Sequence, residues 1–450
     1  VSTLREPGGR RTALAGRLGA GLLAATLFIV SGGSALAGTE THSDPQAPST
    51  AEPPRTGFER TSGAAWTTED EEIAFLDEVV ERGDHVEMAQ AGTSLEGRPL
   101  NLVRIGGPRF GPARTTVLSL CTQHGNEPSG REACLSMIRD LAFTQDRAVE
   151  RLLRTTELLF VPTVNPDGFV ANTRGNAAGV DVNRDHLALT TPEARTIAEL
   201  FRDHRPDVVY DLHEYGARPP VYDRDFLSLW PRNLNTDDRV HALAEALSEE
   251  YVRPAVEAAG FTSGIYGIHV DPETGEPIEQ VAGDGQERIL RNTAGIKDAV
   301  GILVETRTTA LTEEELADPA VNNRRRVDSQ LAGLAGALDM LRERGTRISL
   351  TTAAARAAGY ANHGPVYFGG ADNEEPAPED VLTERVCGYR LTAEQFAEVE
   401  STLAAHGVRS LPGRDGVLVP MAQPLRELIP LLLDERARFS LTAGTPSARC

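Results

Sequence analysis

Four short apolar runs punctuate the middle of the chain: Thr115–Leu120, Glu157–Val161, Asp207–Tyr210 and Ala299–Val304. Each is continuous rather than alternating, the pattern of a strand buried on both faces, and such strands belong in a central, largely parallel sheet. Between them, apolar residues return every three to four positions. Gly130–Phe143 reads as a helix directly after the first run. Thr191 caps another, with Pro192 at its first position and Ile197, Leu200 and Phe201 on its apolar face. Val240, Leu243, Leu247 and Tyr251 line a third. Upstream, Thr67 and Thr68 precede Glu69 and Glu71, and Ile73, Phe75, Leu76 and Val79 follow at helical spacing. Strands alternating with helices predict an α/β fold: a three-layer α/β/α arrangement around a mixed, largely parallel sheet. Glu313–Arg344 closes it as a long helical stretch with a break at Pro319.

The pattern changes at both ends. Asp372–Asp380 is acidic and proline-rich, a linker or surface loop. Beyond it, Thr392 and Gln395 form a capping box, Phe396, Val399 and Leu403 share one face, and Gly407 is the stop. With a strand at Val417–Val419 and an apolar helix at Leu425–Leu433, residues 346–450 read as a small C-terminal α/β or α+β unit without catalytic pattern. At the other end, Arg5, Arg10, Arg11 and Arg17 precede an apolar run, Leu18–Val30, too short to span a bilayer. Ala35-Leu36-Ala37 is a cleavage site, so residues 1–37 read as a signal peptide, by the general route or by a twin-arginine route using Arg10-Arg11. Residues 38–65, rich in Ser, Thr, Pro and Glu, read as a disordered linker, and residues 66–345 as the main domain.

The formal net charge is −21, and removing residues 1–37, with four arginines and one glutamate, makes it more negative. Such a surface repels phosphate backbones and argues against nucleic-acid partners. Lys297 is the only lysine in an arginine-rich chain, which fits the codon bias of a GC-rich bacterial genome; the signal-like start predicts an exported, secreted or envelope protein with no membrane span after its removal. In that setting Cys121, Cys134, Cys387 and Cys450 permit disulfides, with a bridge within Cys121/Cys134 and within Cys387/Cys450 left open, and no Cys-x-x-Cys spacing argues for a cysteine-ligated metal.

Chemistry gathers where the strands end. The first delivers His124-Gly-Asn-Glu127, with His and Glu spaced to reach one metal ion. The second runs into Asn165-Pro-Asp-Gly168, then Arg174 and Asp181-Val-Asn-Arg184. The third delivers Asp211-Leu-His213-Glu-Tyr215 and the fourth Glu305. Two imidazoles and one carboxylate leave a zinc ion an open position for water, whose pKa the metal lowers. A carboxylate that is not a ligand can shuttle the proton, one arginine can stabilise an oxyanion, and another can grip a carboxylate. Asp181 is a candidate to orient a metal-bound imidazole. Read alone, Glu305 could instead pair with Arg307, and Glu214 is as readily solvated as functional. His186, His241 and His269 follow no ligand spacing and read as structural.

The ordered set His-Gly-Asn-Glu, Asn-Pro-Asp-Gly, Arg174, Asp-Val-Asn-Arg, Asp-Leu-His and Leu-Val-Glu-Thr resembles the zinc metallocarboxypeptidase family of the carboxypeptidase A type, over about residues 66–345. The resemblance implies one zinc per chain held by His124, Glu127 and His213, Glu305 as general base and acid, and Arg174 at the oxyanion. It further implies that Asn183 and Arg184 hold the substrate's terminal carboxylate and that Tyr215 lines the groove. Peptides or acyl-amino acids would be the substrates. Two departures stand out. The family carries a mobile tyrosine about twenty residues before the catalytic glutamate, and here the nearest upstream tyrosine is Tyr266, a poor match in spacing; Asn126 stands where some members carry an arginine. Phe226–Leu290 matches nothing recognisable, although Arg291 and Asn292 are placed to lie near the pocket, where an arginine would favour an acidic side chain. Three rival readings remain: an N-acyl amino acid deacylase of the same fold, a cell-wall peptide hydrolase, and a catalytically inactive zinc-binding module.

Overall fold

The computed structural model describes residues 52–107, 115–413 and 416–450; the expected signal peptide lies outside them. The strands are β1 (Val86–Thr93), β2 (Pro99–Gly106), β3 (Thr115–Cys121), β4 (Thr156–Val161), β5 (Val208–Tyr215), β6 (Phe226–Leu229), β7 (Ser263–Ile265), β8 (Ile268–Val270), β9 (Pro277–Gln280) and β10 (Val300–Arg307). Helices α1 (Gly57–Arg60), α2 (Glu69–Arg82), α3 (Ser129–Ala142), α4 (Arg147–Leu153), α5 (Pro166–Ala171), α6 (Pro192–His204), α7 (Asp238–Ala246), α8 (Arg253–Ala258), α9 (Leu290–Ile296), α10 (Glu313–Ala317) and α11 (Pro319–Ala358) accompany them.

Eight strands form one mixed sheet in the order β1-β2-β4-β3-β5-β10-β6-β7. Its centre is parallel: β3 pairs with β4 and β5, and β5 with β10. β1, β2 and β6 join antiparallel. Alternate residues of each central strand face opposite layers, as the twofold strand period requires. Val117, Tyr210 and Ile302 pack into a core with Leu135, Ile138, Leu334 and Leu341 from α3 and α11. Leu118, Leu159 and Val209 pack on the other side with Ile197, Phe201 and Leu290 from α6 and α9. Both faces are therefore covered, which is why these strands read as unbroken apolar runs. All four expected strands form, and β5 and β10 run on to Tyr215 and Arg307, carrying His213 and Glu305 on the strands themselves.

Two expected boundaries move. Residues 56–65, assigned to the linker, are ordered: Thr56 caps α1 with a complete capping box, and Phe58 is buried and stacks on Trp66 at 5.1 Å between ring centroids. One aromatic pair and one cap anchor a stretch whose composition reads as disordered. The division at 345/346 falls inside α11, which runs unbroken to Ala358 after Asp318 caps it and Pro319 takes its first position. Ile348 and Ala355 are buried in the main core, so the helix stays attached beyond the expected boundary.

The C-terminal part adds β11 (Val366–Tyr367), β12 (Val381–Leu382), β13 (Gly388–Leu391), β14 (Leu411–Gly413), β15 (Gly416–Pro420) and β16 (Thr445–Ser447), with α12 (Ala393–His406) and α13 (Leu428–Leu433). It is α+β: a four-stranded antiparallel sheet, β14-β15-β13-β16, packed with α12 and α13 around Tyr389, Val399, Leu403 and Leu432. Leu187 and Ile296 of the main domain enter the same core. Asp372, in the acidic loop, is tied back to Arg232 at 2.5 Å, to Trp230 at 2.8 Å and to His241 at 3.1 Å. Cys121 pairs with Cys134 and Cys387 with Cys450. Among the described residues, no helix is long and apolar enough to cross a membrane.

Candidate metal centre

β3 ends at Cys121, and the loop that follows carries His124 and Glu127 before α3 begins at Ser129. The loop is held in place from two sides. The Cys121–Cys134 disulfide ties the end of β3 to α3. Gly125 presses on the Asn-Pro-Asp-Gly turn so closely that a Cβ there would lie 1.9 Å from the carbonyl carbon of Gly168. Asn165 caps α5, its Oδ1 accepting from Gly168 N at 2.9 Å, while Asp167 bonds Ser94 and Arg98. The Asn-Pro-Asp-Gly motif is thus a buttress for the loop.

Next to β3 in the sheet, β5 presents His213. His124, Glu127 and His213 are all buried, and one donor atom from each lies within 4.8 Å of the others. His213 Nδ1 is 2.9 Å from Glu127 Oε2 and 3.1 Å from His124 Nδ1, and His124 Nδ1 is 2.9 Å from Glu127 Oε1. Both imidazoles turn the same nitrogen inward and anchor the other on a carboxylate. His124 Nε2 sits 3.1 Å from Asp181 Oδ1, and His213 Nε2 sits 3.0 Å from Asp211 Oδ2. This is the two-layer arrangement that fixes the ring tautomer of a metal ligand. The nitrogen, nitrogen and carboxylate-oxygen donor set suits zinc.

Burial works against ionisation of Glu127, but His124 and His213 outweigh it and hold the carboxyl well below its usual range. Asp181 is likewise held low, burial notwithstanding, by His124, Arg174 and Arg184. Asp211 was not singled out by sequence, although it stands two residues from His213 on one strand and so shares its face. It is fully buried, and its second oxygen accepts from Gln123 Nε2 at 2.6 Å; Gln123 Oε1 in turn meets His186 Nε2 at 2.7 Å. His186 closes this string behind His213.

Glu305 lies on β10 directly beside His213 in register. It is buried, and its Oε2 has no hydrogen-bond partner. The alternative pairing with Arg307 does not form: that guanidinium bonds Asp225 at 2.7 Å and Glu315 at 3.2 Å. Burial, with the nearby Glu127 and Asp211 charges and against His213 and Arg174, pushes the Glu305 carboxyl up to about 8. Arg174 reaches over the triad, with Nη1 3.4 Å from Glu127 Oε1 and Nη2 3.0 Å from Asp181 Oδ2.

The remaining expected residues are placed less uniformly. Asn183 is buried with its amide committed to the protein: Nδ2 lies 3.0 Å from His213 Nε2, and Oδ1 accepts from Leu290 N at 2.9 Å. Arg184 bonds only the Asn183 carbonyl, at 2.9 Å, and has no carboxylate partner among the described residues. Tyr215 is buried, donates to the Arg224 carbonyl and packs edge-on against Tyr222. Glu214 is neither solvated nor a ligand: Arg326 and the Ser129 N–H claim its two oxygens. Asn126 is exposed. Tyr266, a poor match by spacing, is nonetheless near the site: its hydroxyl is held up in pKa by burial and by the Glu305 charge, with Arg291, Arg184 and Arg174 acting the other way. β7 pairs with β6, and β6 with β10, which folds the segment back onto the strand of Glu305. Arg291 is fully buried beside it, with Nε unpartnered and Nη2 bonding only the Asp284 carbonyl, at 2.5 Å.

Residues 72–249 match the zinc carboxypeptidase family. Carboxypeptidase 2 of Trichophyton tonsurans is 33% identical over 198 residues, covering 42% of this chain and 36% of that protein. Carboxypeptidase E of Caenorhabditis elegans is 29% identical over 174 residues, covering 35% of this chain and 33% of that protein. The chain thus spans about a third of the length of these relatives. A crystal structure of a putative carboxypeptidase from Burkholderia mallei shares the fold, with a TM-score of 0.50 at 19% identity over 61% of this chain and 68% of that one. The similarity to the zinc carboxypeptidase family thus lies in residues 72–249, the stretch that carries His124, Glu127 and His213.

Proposed function

We propose that this protein is an exported, zinc-dependent carboxypeptidase that hydrolyses the C-terminal peptide bond of its substrates. The observation that carries the reading is Glu305: a buried carboxyl without a partner on Oε2, beside a triad of metal-ligating type. Burying such a group unpaired is costly, and an interior with only a structural task would not keep it. His124, Glu127 and His213 would hold one zinc ion, which lowers the pKa of a bound water and polarises a carbonyl.

The chain's own groups supply the rest. Glu305, beside His213 on the neighbouring strand, takes the proton of the attacking water and passes it to the leaving nitrogen. Arg174, half-exposed at the lip, stabilises the oxyanion as the carbonyl becomes tetrahedral. Arg184 holds the terminal carboxylate, its guanidinium steadied by the Asn183 carbonyl. Arg291, a buried cation with no carboxylate of its own, favours an acidic side chain at the last residue of the substrate.

Export is supported by the two disulfides, which persist in oxidising compartments. The experiment is a panel of peptides differing only in the C-terminal residue, presented to the zinc-loaded protein with and without chelator. Chelator-sensitive release of single C-terminal residues, fastest for Glu or Asp, is the expected result. Release from N-acyl amino acids or peptidoglycan peptides alone would replace the reading with a deacylase or a cell-wall hydrolase. Stoichiometric zinc without any turnover would favour a binding module.

A further inference from the structure

Outside the metal triad, the chain's only lysine lines a cavity of about 270 Å³. Lys297, just past the end of α9, is 6% exposed and holds its ammonium 4.9 Å from the Phe201 ring centroid. His406, at the end of α12, lies beside it; Nε2 is bonded to the Leu187 carbonyl at 2.9 Å and Nδ1 is buried without a partner. Arg205, Arg356 and Arg409 stand around the opening with Tyr360. No aspartate or glutamate lines it among the described residues, in a chain that carries 66 acidic residues against 45 Lys and Arg.

Some of this charge is accounted for. Arg356 bonds Asp207 at 3.4 Å and the Pro206 carbonyl at 2.6 Å. Helices α6, α9 and α12 all end here, and a helix C-terminus carries roughly half a negative charge. The other cations do not serve those ends directly. Neither the Lys297 ammonium nor the Arg205 side chain makes a hydrogen bond or ion pair among the described residues. Arg409 meets only the Tyr360 hydroxyl, at 3.2 Å, and that ring. Burial alone lowers Lys297 to about 7, with no carboxylate to hold it up. An unpaired buried amine facing a cavity is costly to keep, whereas a bound anion would supply its missing partner.

We propose that this cavity is an anion-binding site for a compact multivalent oxyanion of the phosphate class, bound between Lys297 and His406 at the base and Arg205 and Arg409 at the mouth. The cavity has room for a free ion or for a phosphoryl group on a small carrier. None of these side chains belongs to the metal centre, so the site stands independently of the peptidase reading.

The test is calorimetric titration of inorganic phosphate, and separately sulfate, into the zinc-loaded full chain at constant ionic strength. R205A/R409A changes only exposed side chains, and K297M probes the base. The expected result is saturable phosphate binding to wild type, with affinity at least about tenfold weaker in R205A/R409A and peptidase kcat/KM unchanged. Phosphate bound in preference to sulfate would identify protonation-dependent recognition within the same chemistry. No binding to wild type, or affinity unchanged in R205A/R409A because the ion sits on zinc, would overturn the proposal and leave the cations as partners of the helix ends. K297M, where it folds, should lose binding with the double variant; the double variant decides the matter alone.

Discussion

Gly125 lies between His124 and Glu127, two of the proposed zinc ligands, and replacing it with alanine tests how tightly their loop is held. An added Cβ would stand 1.9 Å from Gly168 C, 2.2 Å from Phe169 N and 2.3 Å from Gly168 O. Non-bonded heavy atoms settle near 3.5–4.0 Å, so the two backbones must part by roughly 1.5 Å. Neither can do so freely. The Asn165 cap and the Asp167 contacts with Ser94 and Arg98 hold one side, and the Cys121–Cys134 disulfide holds the other. Overpacking of this kind costs about 1–3 kcal/mol. The larger effect should fall on the ligands, because a displacement of about 1 Å at a catalytic constellation costs on the order of 100-fold. The assay is zinc affinity by competition with a chromophoric chelator, alongside kcat/KM on the best peptide. Gly125→Ala should bind zinc on the order of 100-fold more weakly while keeping its far-ultraviolet circular dichroism. Zinc affinity and kcat/KM both within about threefold of wild type would refute the claim that the Gly125–Gly168 contact sets the ligand geometry.

Three further outcomes follow from the same structure. Asp211→Asn keeps the shape of the string behind His213 but removes its charge, so zinc affinity should fall about 10–100-fold; an affinity equal to wild type would show that Asp211 does not orient the ligand. Arg291→Met should lower kcat/KM for C-terminal Glu by about 10–100-fold and leave C-terminal Leu little changed, and equal losses on both would remove Arg291 from substrate selection. Lys297, lowered to about 7 when folded from 10.5 when free, binds fewer protons folded than unfolded between those values. Stability therefore rises with pH from 7 toward 10, by up to about 1.4 kcal/mol per unit. Urea unfolding across that range should show a smaller rise in Lys297→Met, and parallel slopes would contradict the burial argument.

The sheet was legible because its central strands are covered on both faces, which removes polar residues from the runs that form β3, β4, β5 and β10. His124, Glu127, His213 and Glu305 were legible because each sits at or near the carboxyl end of such a run, so chain order alone brings them together. The supporting contacts were not. Asp211 looks like any strand aspartate until His213 is seen to turn Nε2 toward it. Gly125 and Gly168 are read as turn residues until their backbones meet. Phe226–Leu290 is built from short strands, a hairpin of β8 and β9 and a π-helical turn at Leu247–Val252, none long enough to show a period. Tyr266 stood apart for the same reason: its nearness to Glu305 comes from the β7-β6-β10 pairing, which sequence separation does not report. Residues 56–65 were misjudged because composition outweighed a single Phe58–Trp66 stack.

The central claim is that Glu305 manages the proton while His124, Glu127 and His213 hold zinc. Glu305→Gln preserves shape and removes the proton acceptor, so zinc content and release of the C-terminal residue should be measured together in this variant and the wild type. One zinc per chain in both, with release from the variant at least about 1,000-fold slower, within the range for a general base, is the predicted result. Release at a rate comparable to wild type, with zinc bound in both, would contradict the account.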